Sequence, residues 1–187
     1  MSLQPATVGS PAPDSAVTPD EFRAAMRRLV TGVTIITATY ESRPWGMTVS
    51  AFTPVCTEPP TVLICLNRST VLAGAVQVTG RFGVNLLSQD QEFLSRLCSR
   101  PGTPKYLDDY CIPPEGAGAP LLYDSLAAFD CDLDDARVVG SHLVLMGLVS
   151  GVVIDGSRRP LLYGAGRYHE PADFDATSHL GGQLAWS

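Results

Sequence analysis

A polar segment, Asn67 to Thr70, lies between an apolar run typical of a strand and an apolar run typical of a helix. The amino terminus of a helix presents unpaired N–H groups and about half a positive charge. The Arg68 guanidinium and the two following hydroxyls could complete an anion site there, and phosphate is the anion that such termini commonly bind. The segment also permits a plainer interpretation, in which Ser69 caps the helix and Arg68 is solvated.

A second candidate is the segment Gly46 to Phe52, which is rich in small residues. Strand alternation puts Thr48 and Ser50 on one face and Val49 and Ala51 on the other. Small residues let a flat ligand approach the backbone closely. Threonine and serine are also ordinary on a half-exposed strand, so this pattern alone favours a ligand site only weakly.

The third candidate is His142, which follows Gly140 and Ser141 in a tight turn and begins a strand. A lone histidine in such a place is more often structural than catalytic. The three histidines are too few and too far apart to build a local metal site, and the five cysteines contain no C-x-x-C pair. We therefore predict a metal-free protein whose cysteines are buried thiols.

Common catalytic signatures are missing. The sequence contains no G-x-S-x-G, no H-E-x-x-H and no phosphate-binding G-x-x-x-x-G-K-[ST]. The segment Gly164 to Gly166 comes nearest to a dinucleotide fingerprint, but His169 stands where the third glycine would be needed. A Rossmann-type dinucleotide site is therefore excluded.

Length and charge limit the possible classes of protein. The chain has 187 residues, enough for one domain, and its 13 basic residues are outnumbered by 19 acidic ones. Because phosphate backbones are held by clusters of Lys and Arg, a nucleic-acid partner is not expected. No apolar run approaches the roughly 20 residues that span a bilayer, and the amino-terminal stretch lacks the features of a secretory signal. We expect a cytoplasmic protein without a membrane anchor.

The pattern of apolar residues predicts one β-rich domain. Residues 1–17 resemble a flexible arm, residues 18–170 form the domain, and residues 171–187 form a polar tail. Helices are predicted over about 19–30, 71–79 and 88–98, with an irregular loop over 99–120. About seven strands, adjacent in sequence and without regular strand–helix alternation, favour an antiparallel barrel. They are predicted at 33–37, 47–52, 61–66, 81–87, 125–139, 143–154 and 160–163.

Several of these segments, taken in order, resemble the flavin reductase family. These are small NAD(P)H:flavin oxidoreductases that serve as reductase components of two-component flavin monooxygenases. The similarity covers about residues 20–169, and the ordered set is far more specific than any one motif. It comprises Phe22 to Thr34, Gly46 to Phe52, Glu58 to Pro60, Cys65 to Ser69, Gly80 to Leu87, and Pro160 to Tyr163 with Arg167-Tyr168.

The resemblance implies a mainly β fold, the split-barrel, flavoredoxin-like Greek-key β-barrel with a few short helices. It also implies a homodimer that holds FAD or FMN without a covalent bond near the subunit interface. NADH or NADPH would donate a hydride to flavin N5, and a separate oxygenase would receive the reduced flavin. Two alternatives stay open, a flavin-binding electron-transfer or storage protein of the same fold and a non-catalytic interaction module.

The resemblance also assigns residues to parts of the site. It places the strand Met47, Thr48, Val49, Ser50 and Ala51 against the isoalloxazine and ribityl chain, and Asn67, Arg68, Ser69 and Thr70 around the phosphate. It places Phe82, Gly83 and Asn85 along the ring, and Arg167 and Tyr168 at the end of the cleft. His142 corresponds to the histidine near the nicotinamide. The family usually has Gly-Asp-His where this chain has Gly140-Ser141-His142, so the choice between NADH and NADPH stays open.

Overall fold

The computed structural model describes residues 17–112 and 118–172, so most of the predicted arm and tail lie outside the described residues. In chain order, the elements are α1 (Pro19–Met26), β1 (Thr31–Gly32), β2 (Thr34–Tyr40), β3 (Arg43–Val49), β4 (Phe52–Thr57), β5 (Pro60–Asn67), α2 (Val71–Thr79), β6 (Arg81–Leu86), α3 (Glu92–Ser99), β7 (Cys111–Ile112), β8 (Leu121–Leu122), β9 (Ala127–Val139), β10 (His142–Ile154), β11 (Leu162–Gly164) and β12 (Arg167–His169). A short 3₁₀ turn, Gln89–Gln91, leads into α3.

Seven strands form one antiparallel sheet in the order β3-β2-β6-β9-β10-β5-β4. Its two edge strands, β3 and β4, follow each other in the chain and are joined by Ser50 and Ala51 alone. Three residues of extended chain span only about 10 Å, so Val49 and Phe52 bring the two edges close together. The sheet therefore curls into a barrel that is closed at this end, as the sequence predicts.

Two apolar clusters hold the sheet in this shape. One fills the barrel between α2 and the strands, and its fully buried side chains include Ile36, Phe82 and Leu145. The other lies beneath α3 and includes Ile35, Leu94 and Cys98. Successive residues of β2 are thus buried in opposite clusters, because strand side chains alternate between faces.

The predicted helices occur, with corrected ends. Thr18 and Glu21 form the predicted capping box of α1, but the helix ends at Met26 rather than near residue 30, and Thr31–Gly32 instead pairs with β11. Helix α2 is capped by Thr70, not by Ser69. It ends at Thr79 and is capped by Gly80, whose φ of 67° is a left-handed conformation that favours glycine.

Two strand assignments also change. The predicted strand 47–52 pairs with β2 only as far as Val49, and Phe52 begins β4 at the opposite edge. The predicted irregular loop 99–120 contains β7, and its Tyr106 forms an antiparallel bridge with Trp45. No helix among the described residues is both long and apolar enough to cross a membrane.

Candidate functional site

A cavity of about 980 Å³ lies along β3. That volume is at the upper end of the range of small-molecule and cofactor sites, roughly 300 to 1,000 Å³. Aromatic rings and hydroxyls form much of its wall. Of the residues predicted to bind a cofactor, the cavity is lined by Met47, Thr48, Val49, Ser50, Thr70 and Tyr168.

Strand β3 can face a ligand because it is an edge strand. Part of its outer edge is covered by the segment after α3, where the Gly46 N–H donates to Lys105 O and the Leu107 N–H donates to Pro44 O. A side chain at Gly46 would meet Leu107, so this close approach requires glycine. The remaining stretch, Met47 to Val49, lines the cavity. The unpaired backbone groups of a strand edge are ready partners for a polar ligand.

Ser95 of α3 links two of the predicted site residues. The Thr48 hydroxyl donates to Ser95 O at 2.7 Å, and Ser95 Oγ lies 2.8 Å from the Tyr168 hydroxyl. Because its only proton is engaged, the Thr48 hydroxyl can only accept a hydrogen bond from a ligand. Ser95 is fully buried and lines the cavity, although no motif in the sequence marks it as a site residue.

Aromatic side chains form two parts of the cavity wall. Tyr168 packs edge to face against Tyr163 with ring centroids 5.1 Å apart, and the Arg96 guanidinium lies 4.8 Å from the Tyr168 ring centroid. Elsewhere along the cavity, Tyr106 packs edge to face against Trp45 at 4.9 Å. Such walls suit a flat aromatic ligand.

The Asn67–Thr70 turn meets the cavity through Thr70. Asn67 Oδ1 accepts hydrogen bonds from the Ser69 N–H and from the Ser69 hydroxyl, at 3.0 and 2.8 Å. The Thr70 hydroxyl donates to Asn67 O at 2.8 Å and accepts from the Ala73 N–H. Both hydroxyl protons are therefore engaged within the turn, so neither is free to donate to an anion in this structure.

Positive charge in this turn comes from Arg68 and from the start of α2. Arg68 is exposed and forms no ion pair with any of the described residues. The first amides of α2 point out of the helix, where its dipole favours an anion. Together these groups fit the phosphate of a flavin, and the aromatic cavity beside them fits its ring.

His142 lies next to this turn, although 75 positions separate it from Asn67 in the sequence. The two residues are register partners in the antiparallel pair of β5 and β10. The Arg68 N–H donates to Ser141 O at 3.0 Å, and Ser141 Oγ lies 3.0 Å from His142 Nδ1. His142 is exposed beside the turn and is not part of the cavity wall.

Strand β6 does not line the cavity, in contrast to the predicted placement of Phe82, Gly83 and Asn85 along the flavin ring. The strand lies inside the sheet, between β2 and β9. Phe82 is fully buried in the barrel, and a side chain at Gly83 would collide with Thr37 and Pro120.

Asn85 makes buried hydrogen bonds within the protein. Its amide donates to Ile35 O and Thr37 Oγ1, and its oxygen accepts from the Leu122 N–H at 2.7 Å. Asn85 therefore ties β6 to β2 and β8. Five further predicted residues also lie outside the cavity wall: Ala51 in the exposed link between β3 and β4, Arg167 at the exposed start of β12, and Asn67, Arg68 and Ser69 in the turn before α2.

The cysteines agree in part with the expectation of buried thiols. Cys98, Cys111 and Cys131 are buried, Cys65 is half-buried and Cys56 is exposed. Cys98 lines the cavity, and burial raises the pKa of its thiol to about 12. Because the thiolate is the nucleophilic form, Cys98 is an inert part of the wall near neutral pH.

Residues 26–172 match the flavin reductase like domain. The chain belongs to the flavin reductase family. The sequence-based predictions of this family, of its split-barrel fold and of a flavin oxidoreductase are confirmed.

Individual relatives of this flavin reductase cover most of its length. It is 36% identical over 160 residues to the FMN reductase (NADH) RutF of Ancylobacter novellus, covering 84% of this chain and 87% of the relative. It is 34% identical over 155 residues to HsaB, the reductase subunit of a flavin-dependent monooxygenase of Rhodococcus jostii, covering 82% and 78%. Among solved structures, the NADH:FAD oxidoreductase SgcE6 of Streptomyces globisporus superposes with a TM-score of 0.75 at 28% identity, covering 87% of this chain and all of that one.

Proposed function

We propose that this flavin reductase uses NADH to reduce FMN or FAD and releases the reduced flavin to a separate monooxygenase. The observation that carries the proposal is the cavity of about 980 Å³, which combines an edge strand with aromatic walls and meets the Asn67–Thr70 turn at Thr70. The named relatives include a reductase of FMN and an oxidoreductase of FAD, and both are NADH enzymes. HsaB is the reductase subunit of a monooxygenase, which supports an oxygenase partner here.

In this proposal, the flavin phosphate binds at the Asn67–Thr70 turn. Arg68 supplies the positive charge, and the first amides of α2 supply backbone donors. The flavin ring lies along Met47 to Val49, where Thr48 can accept a hydrogen bond but cannot donate one. Phe82, Gly83 and Asn85 act indirectly, because they hold the sheet that positions β3.

His142 orients the nicotinamide in this proposal. It lies outside the cavity wall but beside the Asn67–Thr70 turn, so we expect NADH to approach the bound flavin from the side of that turn. The bound flavin supplies the redox chemistry, since it accepts a hydride and can pass it on. The protein needs no nucleophile of its own for that reaction, in keeping with the missing catalytic motifs. Its task is to bring two rings together at about 3 to 3.5 Å.

We further propose that the protein is a homodimer. Helix α1 has no buried residue, and apolar side chains on it and just after it are exposed: Phe22 is 60% exposed, and Met26, Leu29 and Val30 are 44 to 55% exposed. Residues that follow this segment, Thr31 to Val33, line the cavity. A second subunit covering α1 would therefore also border the flavin site.

Size exclusion with light scattering tests the dimer. The expected result is twice the mass of one chain at micromolar concentration, and Phe22→Asp should shift the protein toward monomer. A wild-type monomer that still oxidises NADH with flavin would contradict the dimer but not the reductase proposal.

The reductase proposal is tested by following NADH absorbance with riboflavin, FMN or FAD as acceptor, and by repeating the assay with NADPH. We expect oxidation of NADH that depends on both protein and flavin. Flavin binding without sustained NADH oxidation would favour an electron-transfer or storage protein. No flavin binding at all would favour a non-catalytic interaction module.

A further inference from the structure

Two hydroxyls meet in the cavity wall. Ser95 Oγ lies 2.8 Å from the Tyr168 hydroxyl, and either oxygen could be the donor. Ser95 is fully buried in α3, whereas Tyr168 is half-buried and lines the cavity. The direction of this hydrogen bond decides which proton is left for a ligand.

The burial of Ser95 fixes that direction. Within the described part of the chain, Tyr168 is the only hydrogen-bond partner of the Ser95 hydroxyl. If Tyr168 donated, the Ser95 proton would be buried without an acceptor, which costs about 1 to 3 kcal/mol. Ser95 therefore donates to the Tyr168 oxygen. The Tyr168 proton is then free to point toward the cavity.

The surroundings of Tyr168 hold its ring in place. The Arg96 guanidinium lies 4.8 Å from its ring centroid, and the Tyr163 ring packs against it edge to face. The Thr48 hydroxyl donates to Ser95 O, which fastens α3 to β3 beside the cavity. A donor that is already fixed loses little conformational entropy when it binds a ligand.

We propose that the Tyr168 hydroxyl donates a hydrogen bond to the bound flavin and that Ser95 is the positioning residue that directs it. The inference rests on the proposed function, because it takes the cavity to be the flavin site. It adds a specific donor to a wall in which Thr48 can only accept, so the two hydroxyls make complementary contacts with the ligand.

The test measures flavin affinity without NADH, from the quenching of flavin fluorescence on titration with protein. Tyr168→Phe removes the donor but keeps the ring, and it should weaken binding of riboflavin, FMN and FAD alike by about fivefold. Ser95→Ala should weaken binding by about threefold, because the hydroxyl remains but is no longer directed. Ser95→Ala should have no further effect in a Tyr168→Phe background, since Ser95 acts through the Tyr168 hydroxyl.

Tyr110→Phe is the matched control, since Tyr110 packs against Phe93 and does not line the cavity. This variant should bind flavin like the wild type. Unchanged affinity in Tyr168→Phe, or additive losses in the double variant, would overturn the inference. Variants that lose thermal stability but keep their flavin affinity would also overturn the inference, because they would indicate a purely structural contact. Wild-type protein that binds no flavin would instead contradict the proposed function.

Discussion

His142 lies directly opposite Asn67 in the antiparallel pair of β5 and β10. This relationship joins two candidates that the sequence places 75 positions apart. The Arg68 N–H also donates to Ser141 O, so the turn before β10 and the turn before α2 are hydrogen-bonded neighbours. In the proposed function, a phosphate-binding turn and a nicotinamide-orienting histidine are therefore direct neighbours.

Replacing His142 should affect NADH more than flavin. We expect His142→Ala to raise the KM for NADH or to slow hydride transfer by about tenfold, or about 1.4 kcal/mol, with flavin affinity nearly unchanged. Stopped-flow reduction at varied NADH concentration separates the two effects. Ser141→Asp, which restores the family's usual residue, should alter the nicotinamide step as well. Loss of flavin binding with normal NADH kinetics would contradict this role.

Removing the Arg68 charge should distinguish flavins by their phosphate. A charge-assisted hydrogen bond is worth roughly 1.5 to 3 kcal/mol, and an exposed one lies at the low end of that range. Arg68→Ala should therefore weaken FMN and FAD by about tenfold and leave riboflavin nearly unchanged, as measured by fluorescence titration. Exposed Arg159, which lies outside the cavity wall, offers the matched control, Arg159→Ala, which should change none of the three affinities. Equal weakening of all three flavins by Arg68→Ala would contradict the phosphate assignment.

Asn85 is expected to matter for stability rather than for direct flavin contact. Asn85→Ala would leave the buried Leu122 N–H and Ile35 O without their present partner, so the free energy of unfolding should fall by about 3 kcal/mol. Urea unfolding measures the loss. The folded fraction should bind flavin with near wild-type affinity. A stable Asn85→Ala variant that has lost flavin binding would contradict this prediction and indicate that Asn85 contacts the flavin.

The sequence could predict the class of fold but not the role of β6. Alternating and β-branched runs predicted the strands, and their adjacency predicted an antiparallel barrel. The family resemblance placed Phe82 to Asn85 along the ligand, and nothing in that motif reveals that β6 has a strand on each side. Burial of this kind depends on pairing partners far away in the chain, which local patterns do not encode.

Ser95 could not be predicted as a site residue for a related reason. It is one of several polar residues in an amphipathic helix, and its partners Thr48 and Tyr168 are 47 and 73 positions away. The Asn67–Thr70 turn was predictable, because a strand, a polar turn and a helix start follow one another locally. The hydrogen bonds that engage both of its hydroxyls were not predictable, because they depend on side-chain geometry.

Three buried thiols should make the protein sensitive to alkali. Burial raises the pKa of Cys98, Cys111 and Cys131 from 9.0 to about 12. The unfolded chain loses these protons near pH 9 while the folded chain keeps them, so the free energy of unfolding should fall as pH rises from 9 toward 12. Replacing all three cysteines by alanine should flatten this fall in urea unfolding. An equally steep fall in the triple variant would contradict the assignment to thiols.

The most direct test of the central claim is anaerobic reduction of a large molar excess of free flavin by NADH in the presence of the protein. A reductase that binds flavin in the β3 cavity and releases it should bleach the whole excess, with one NADH consumed for each flavin reduced. Bleaching limited to one flavin for each protein chain, or none above the rate without protein, would contradict the account.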